Sequence, residues 1–345
     1  MNELRVLAKQ LFKLFALVFV VVGIVFILLL TYEPKSEKYS PLVSEEPQAE
    51  STLWKPKDAV KELSSMPDKV KKGYYLIAET SKFMGPNAEN PQDRYSGNNL
   101  ACANCHLQKG TQAGSGSWVG VIERFPQFGG RGNKIGTIED RINGCMERSM
   151  NGKMLPEDSD KMEAIVAYMA WLGEGLPDNR KAEFKGYPQI QIPNVAVDLE
   201  KGNQLYKKEC VICHGENGAG ILNTDGKSYT YPPLWGQDSY NDGAGMNRVI
   251  TSAEFIKSNM PYLQATWDNP KLTDEEAYHV AGYINSFSRP HKANTENDYP
   301  DKKLKPVSTP YGPWVDDFSP EQHKYGPFPP IMDYYTKEYG ITKTK

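Results

Sequence analysis

Two short stretches of this sequence share one pattern: ACANCHL at residues 101–107 and ECVICHG at residues 209–215. Each contains Cys-x-x-Cys-His, in which two thiols are separated by two residues and a histidine follows directly. Thiols at this spacing can bond to the two vinyl groups of a haem, and the adjacent histidine can reach the iron. The pattern therefore predicts two c-type haems, with four cysteines for attachment and two histidines as ligands. The residues are Cys102, Cys105 and His106, and Cys210, Cys213 and His214.

Zinc binding and thiol–disulfide exchange are two other uses of paired cysteines. A zinc site needs two further ligands for each pair, and a thioredoxin-like pair is expected in a βαβ setting. Two copies in a chain that is predicted to be helical and exported favour haem attachment.

The segments around the two motifs indicate that one helical module occurs twice. VKKGYYLI (residues 70–77) leads to the first motif and LEKGNQLY (residues 199–206) leads to the second. Each copy closes with a helical segment, residues 161–172 and residues 275–287, in which small residues lie beside an aromatic one. Small residues let two helices approach closely enough to clamp a flat cofactor. We therefore expect an all-α fold with two class I cytochrome c-like helical domains in tandem.

Each iron needs a second axial ligand. In the second copy, Met260 is followed by a proline and stands shortly before the last helix, which resembles the distal loop of class I cytochromes c. A thioether ligand favours reduced iron and raises the potential of its haem. We expect Met260 to be this ligand and Met246, the other candidate, to be a packing residue.

Cys145 is the one cysteine outside the two motifs, and its register predicts its role. Met260 lies 23 residues before Tyr283. Cys145 lies 23 residues before Tyr168, whereas Met154 lies only 14 residues before it. The duplication therefore places Cys145, rather than Met154, at the iron of the first haem. The alternative is an inert buried thiol, but a free thiol is a liability in an oxidising compartment.

A helix-start signal stands at the same distance before each expected ligand. Thr137 precedes Cys145 by eight residues, with an acidic residue two positions on. Ser252 precedes Met260 by eight residues, again with an acidic residue two positions on. Such side chains cap exposed N–H groups, so both ligands are expected to leave an equivalent short helix. A thiolate ligand would lower the potential of the first haem, and electrons would then run from the first haem to the second.

The sequence around Cys145 is locally basic. The basic residues are Arg124, Arg131, Lys134, Arg141, Arg148 and Lys153, and the acidic ones are Glu123, Glu139, Asp140 and Glu147. We expect Arg124 and Lys134 to be solvated surface residues. The guanidinium fork binds oxyanions through paired hydrogen bonds, so a small sulfur oxyanion would fit this region.

Three stretches resemble the di-haem thiosulfate dehydrogenases: SGNNLACANCH, GGRGNKIGTIEDRINGCMERSMNGK and ECVICHGENGAG. The resemblance covers roughly residues 73–289, and CMERSMNGK is its specific part. In that family a haem with His/Cys ligation joins two thiosulfate ions into tetrathionate and releases two electrons, which a second haem passes to an acceptor. Some members also reduce tetrathionate, so the direction stays open.

The resemblance implies roles for individual residues. His106 and Cys145 would ligate the active-site iron, and His214 and Met260 the second iron. Arg131 and Ser149 match substrate-contacting positions, and Arg148 is an additional candidate for binding the anion. Some members carry lysine before the Met-Pro pair and exchange ligands, whereas Asn259 stands there in this chain and favours plain His/Met ligation.

Residues 14–30, LFALVFVVVGIVFILLL, contain neither charge nor proline. As a helix they would be about 25 Å long, just enough to cross a bilayer core. Arg5, Lys9 and Lys13 precede the run, which predicts a cytoplasmic N-terminus and a body on the periplasmic side of the inner membrane. A cleaved signal peptide is the alternative, but no A-x-A site follows the run.

The predicted organisation has six parts. They are the N-terminus and transmembrane anchor (residues 1–31), a tether (32–66), cytochrome c domain 1 (67–175), a linker (176–197), cytochrome c domain 2 (198–290) and an extended tail (291–345). The tail is rich in proline and aromatic residues, so we expect it to lie over both domains or to form a partner-binding arm.

The sequence is consistent with two main functions. The first is thiosulfate oxidation with a c-type cytochrome, another periplasmic acceptor or a membrane oxidase as electron partner. The second is non-catalytic electron transfer by a di-haem cytochrome that serves a respiratory membrane complex, which would leave Cys145 without a role. A di-haem peroxidase is a weaker third. The net charge of -3 gives no reason to expect nucleic acid as a partner.

Overall fold

The computed structural model describes residues 2–31 and 54–345, and the chain divides into one unit up to Leu53 and another from Trp54 onward. In the first unit, the described residues form one helix, α1 (Asn2–Thr31). Within the part of the chain that the structure describes, we find no helix whose length and apolar character together suffice to cross a bilayer. The predicted membrane anchor at residues 14–30 is therefore not confirmed, and most of the predicted tether lies outside the described residues.

The second unit is mostly helical. Its helices are α2 (Asp68–Ala78), α3 (Thr80–Met84), α4 (Ile138–Arg148), α5 (Asp160–Leu172), α6 (Leu199–Glu209), α7 (Val211–His214), α8 (Val249–Asn259), α9 (Asp274–Ser286), α10 (Pro320–Tyr325) and α11 (Pro329–Tyr339). Its strands form two antiparallel hairpins, β1 (Gln127–Gly129) with β2 (Lys134–Gly136), and β3 (Ile221–Leu222) with β4 (Tyr229–Tyr231). The expected all-α fold did not include these hairpins. Strands this short leave no alternating pattern in the sequence from which they could be predicted.

In the first module, α2 crosses α5 at Gly73. A Cβ atom at Gly73 would lie 2.1 Å from the backbone oxygen of Ala164 and 2.7 Å from the Cβ of Tyr168. Tyr168 is fully buried at this crossing and donates a hydrogen bond to the backbone oxygen of Lys109 at 2.8 Å. Glycine is therefore required for the two helices to approach this closely.

The second module repeats the same crossing between α6 and α9. A Cβ atom at Gly202 would lie 2.4 Å from the backbone oxygen of His279 and 2.6 Å from the Cβ of Tyr283. Each module has its own buried apolar core. The predicted duplication of a helical module is thus confirmed, with glycine opposite tyrosine in both copies.

The helices that carry the expected distal ligands differ between the modules. Thr137 caps α4 as predicted, because its side chain accepts a hydrogen bond from the backbone N–H of Asp140. The predicted start at Ser252 is wrong: α8 begins at Val249, because its first turn is buried in the second core. Met260 follows the last residue of α8, whereas Cys145 lies within α4. The two ligands therefore do not leave equivalent helices.

The ends of the second unit pack more closely than the sequence suggested. Ala59 and Met66 are buried in the first core, so the described end of the predicted tether belongs to the first module. In the tail, Phe328, Ile331 and Tyr335 are buried in the second core. Their spacings of three and four place these residues on one face of a helix. The tail is therefore not extended throughout, because it contains α10 and α11.

Candidate active site

The first cavity brings together the residues of the first Cys-x-x-Cys-His motif and Cys145. Its lining includes Cys102, Cys105, His106 and Cys145. Nδ1 of His106 lies 2.8 Å from the backbone oxygen of Gly116. A carbonyl only accepts hydrogen bonds, so Nδ1 carries the proton and Nε2 keeps its lone pair for a metal. All of these cysteines are free, and the set fits the attachment and ligation of a c-type haem.

Cys145 lies in a positively charged environment. Nη1 of Arg141 donates a hydrogen bond to its Sγ atom at 3.2 Å. Burial alone would raise the pKa of the Cys145 thiol, but the positive charge of Arg141 helps to outweigh it, and the pKa is lowered to about 6. The residue is therefore prepared to act as a thiolate, which is the form of cysteine that binds metals and attacks electrophiles.

Met154 is not a competitor for this position. Its side chain is 49 % exposed and is not among the described residues that line the first cavity. Cys145, and not Met154, therefore shares the first cavity with His106.

The second cavity contains the second motif and the predicted methionine. Cys210, Cys213, His214 and Met260 all line it. Nδ1 of His214 donates to the backbone oxygen of Pro232 at 2.8 Å, which again leaves Nε2 for a metal. Burial lowers the pKa of His214 and so keeps the imidazole neutral. This set fits a haem with His/Met ligation.

Asn259, which precedes Met260, forms hydrogen bonds to the first module. It is fully buried, and its Nδ2 donates to the backbone oxygen of Gly114 at 2.8 Å. Its Oδ1 accepts a hydrogen bond from Gln112 at 2.8 Å. Asn259 therefore joins the second module to the first.

The two cavities adjoin each other. Residues from both modules line both of them, namely Leu100, Ala101, Cys105, Tyr240 and Met246. Tyr240 is held in this wall by a hydrogen bond to Oδ1 of Asn285 at 3.1 Å and by Arg289 4.3 Å from its ring centre. Met246 is thus a wall residue of both sites.

The arginines expected from the sequence have different positions. Arg124 and Arg141 line the first cavity, as does Ser149, whereas Arg131 and Arg148 are not among the lining residues in the described part of the chain. Arg124 donates to the backbone oxygen of Ser117 at 3.1 Å, which indicates a structural role rather than the solvated surface we expected.

Arg131 and Arg148 both bind one carboxylate of the tail, that of Asp298. Arg131 nevertheless lies next to the first cavity. It shares the carboxylate of Asp298 with Arg148, whose neighbour Ser149 lines the cavity, and Gln127 of the same hairpin lines it too.

Arg141 was missed as a site residue by sequence reasoning. It lies four residues before Cys145 on the predicted helix, a spacing that brings two side chains to the same face. This spacing is the signal that could have identified it.

Comparison with known families supports this description. Residues 92–177 match the family model for the SoxA/TsdA cytochrome c domain, and residues 199–288 match the model for cytochrome c. Thiosulfate dehydrogenase of Psychrobacter arcticus is 37% identical over 251 residues, which is 71% of this chain and 72% of that protein. Thiosulfate dehydrogenase of Allochromatium vinosum is 42% identical over 200 residues, which is 57% of this chain and 72% of that protein.

A solved structure of a thiosulfate dehydrogenase is also similar to this chain. Thiosulfate dehydrogenase (TsdBA) from Marichromatium purpuratum, in its as-isolated form, superposes with a TM-score of 0.60 at 33% identity. The match covers 70% of this chain and 50% of that one, so this chain corresponds to about half the length of that protein. Because a relative is 37% identical over 71% of this chain and 72% of its own length, and because both modules match cytochrome c family models, the chain belongs to the family of di-haem cytochrome c thiosulfate dehydrogenases and carries two c-type haems.

Proposed function

We propose that this protein joins two thiosulfate ions into tetrathionate and releases two electrons, and that the reaction occurs in the first cavity. The observation that carries the proposal is the position of Cys145, which shares this cavity with His106 and receives a hydrogen bond from Arg141. A protein that only transfers electrons needs neither a thiolate nor a guanidinium bound to it beside its haem. The names of the relatives point to the same reaction.

Binding of the substrate is the task of the basic and polar residues. Arg141 lies beside the reacting sulfur and would hold one sulfonate, and Ser149 would donate a hydrogen bond from the same wall. Arg131, which lies nearby, would bind a second anionic group. Guanidinium groups suit this role because they bind oxyanions through two parallel hydrogen bonds.

Cys145 would act as both ligand and nucleophile. Its thiolate and the terminal sulfur of one thiosulfate form an S–S bond, and two electrons leave the pair. The sulfur of a second thiosulfate then attacks the substrate sulfur of this bond, so that tetrathionate forms and Cys145 departs as a thiolate. Cysteine suits such covalent steps because its thiolate is intrinsically nucleophilic. The haems, when bound, accept the two electrons, one each.

The second module would pass the electrons to an acceptor. His214 and Met260 are the proposed ligands there, and a His/Met pair gives a higher potential than a histidine and a thiolate. A c-type cytochrome, another periplasmic acceptor or a membrane oxidase would fit. A donor of low potential would drive the reaction in reverse, so we propose that tetrathionate reduction is also within reach.

The location is a separate proposal that rests on the sequence alone. The apolar run at residues 14–30 and the basic residues before it favour a single-pass anchor with the haem modules on the periplasmic side. Extraction of membranes with alkaline carbonate tests this: an anchored protein stays in the pellet, and release of the protein would contradict the anchor.

Anaerobic addition of thiosulfate to the oxidised protein tests the function. We expect the haem absorption bands to shift to the reduced form and tetrathionate to accumulate when an acceptor is supplied. If the spectrum stays oxidised while a chemical reductant still reduces both haems, the protein is a non-catalytic di-haem carrier.

A further inference from the structure

The C-terminal tail contributes to the same region of the molecule as the predicted substrate site. It lies beyond residue 288, where the second family-model match ends. We propose that Asp298 in this tail is a positioning residue for Arg131, and that the tail thereby completes the binding site for the thiosulfate dianion. The inference rests on the proposed function and deepens it.

Arg131 lies at the tip of the hairpin formed by β1 and β2, and the tail binds it there. Its Nη1 atom donates to Oδ2 of Asp298 and, at 2.9 Å, to Oη of Tyr311. Tyr311 in turn donates to the same Asp298 oxygen at 2.7 Å. The backbone is joined as well, since the N–H of Tyr299 donates to the backbone oxygen of Arg131 at 2.8 Å. The Tyr299 ring lies 5.2 Å from the Arg131 guanidinium carbon.

This arrangement uses only one nitrogen of the Arg131 guanidinium. Nη2 and Nε make no hydrogen bond to any of the described residues, and neither is a buried atom without a partner. The side chain is 26% exposed. One edge of the fork is therefore fixed by the tail, and the other edge stays open for the two oxygens of a sulfonate. Because the tail already fixes the side chain of Arg131, less rotamer entropy is lost when Arg131 binds an anion.

Arg148 supports Asp298 from the other side. Its Nη2 donates to Oδ1 of Asp298 at 2.8 Å, its side chain is only 14% exposed, and its Nε is buried without a partner. An arginine held in this way is not open to a diffusing anion, so its role is to fix the carboxylate. Arg148 also lies 3.6 Å from a carboxylate oxygen of Glu147, so its charge is balanced by carboxylates, and the guanidinium left for the substrate is that of Arg131.

The test compares Asp298→Asn with a matched control, Asp301→Asn. Asp301 lies in the same segment and accepts a hydrogen bond from the backbone N–H of Lys303, but it is not a hydrogen-bond or ion-pair partner of Arg131 or Arg148. We expect Asp298→Asn to raise KM for thiosulfate, and its Kd measured by calorimetry, by roughly 10-fold to 100-fold, as misplaced binding groups do. We expect kcat to change less, and Asp301→Asn to behave as the wild-type protein.

Three outcomes overturn the inference: an unchanged KM and Kd in Asp298→Asn, a lower KM, or an equal rise in Asp301→Asn. Tyr311→Phe is a second variant that removes the hydrogen bonds of Tyr311 to Arg131 and to Asp298 but keeps the ion pair between those two residues, and we expect a smaller rise in KM from it. It keeps the test decisive if Asp298→Asn does not fold. A wild-type protein that binds thiosulfate without oxidising it would contradict the proposed function, while the comparison of Kd values would still decide the role of Asp298.

Discussion

Arg141 and Cys145 lie one helical turn apart on α4, and Nη1 of Arg141 donates a hydrogen bond to Sγ of Cys145 at 3.2 Å. The same guanidinium lines the first cavity, so it can stabilise the thiolate and attract an anionic substrate.

Replacement of Arg141 by alanine tests both effects. A hydrogen bond to a charged group contributes about 1.5–3 kcal/mol, so we expect kcat/KM for thiosulfate to fall by roughly 10-fold to 100-fold. Steady-state kinetics with an artificial acceptor measure this. Lys153→Ala is the control, because Lys153 belongs to the same basic stretch and is exposed outside the cavity lining. Equal losses in both variants would show that only the overall charge matters.

Replacement of Cys145 by methionine separates ligation from chemistry. We expect the variant to keep both covalently attached haems, because Cys102, Cys105, Cys210 and Cys213 are unchanged, but to lose tetrathionate formation, because a thioether cannot form the S–S bond. The potential of the first haem should rise, since a thioether replaces a thiolate. Spectroscopy, redox titration and product assay measure these properties. Met154→Leu should leave all three unchanged, and retained turnover in Cys145→Met would remove the thiol from the mechanism.

The crossing of α2 and α5 predicts a large effect on stability for Gly73→Ala. The added methyl group would lie 2.1 Å from a backbone oxygen, so the helices must separate, and we expect a loss of about 3 kcal/mol. Gly144→Ala is the control: it is also helical, but a Cβ atom there meets nothing within 4 Å. Alanine should stabilise the helix at that position by about 0.5–1 kcal/mol. Unfolding in guanidinium chloride, followed by circular dichroism, measures both, and similar losses in the two variants would contradict the close crossing.

The contact between the tail and the two arginines predicts a dependence of stability on pH. Burial alone would raise the pKa of Asp298, but Arg131, Tyr311 and Arg148 outweigh it and hold the pKa below its ordinary value of 3.8. A carboxyl group with a lowered pKa stabilises the folded protein fully above its unfolded pKa, and this contribution is lost as the pH falls through the folded value.

The measurement compares the melting temperatures of the wild-type protein and Asp298→Asn. We expect their difference to be constant from about pH 8 to about pH 5 and to shrink as the pH falls below about 4 towards the folded pKa of Asp298, below which both proteins carry a neutral side chain. A difference that persists unchanged at low pH would mean that the charge of Asp298 does not hold the tail.

The sequence predicted those features that local patterns encode. The two haem motifs, the duplicated helical module and the presence of Cys145 in the first cavity follow from spacings along the chain, whereas the crossing glycines Gly73 and Gly202 were not singled out. The start of α8 was not predicted, because burial of its first turn in the second core overrides the capping signal at Ser252. The binding of Arg131 by Asp298 joins residues 167 positions apart, and no pattern along the chain links a hairpin tip to a distant tail.

The shared wall of the two cavities bears on the timing of catalysis. Because Cys105, Tyr240 and Met246 line both cavities, haems bound in them would be neighbours and could together hold two reducing equivalents. Under the proposed function, both electrons from one round of sulfur–sulfur bond formation would then reside in a single molecule before any acceptor arrives. A carrier that takes one electron at a time can therefore serve this protein through two successive encounters.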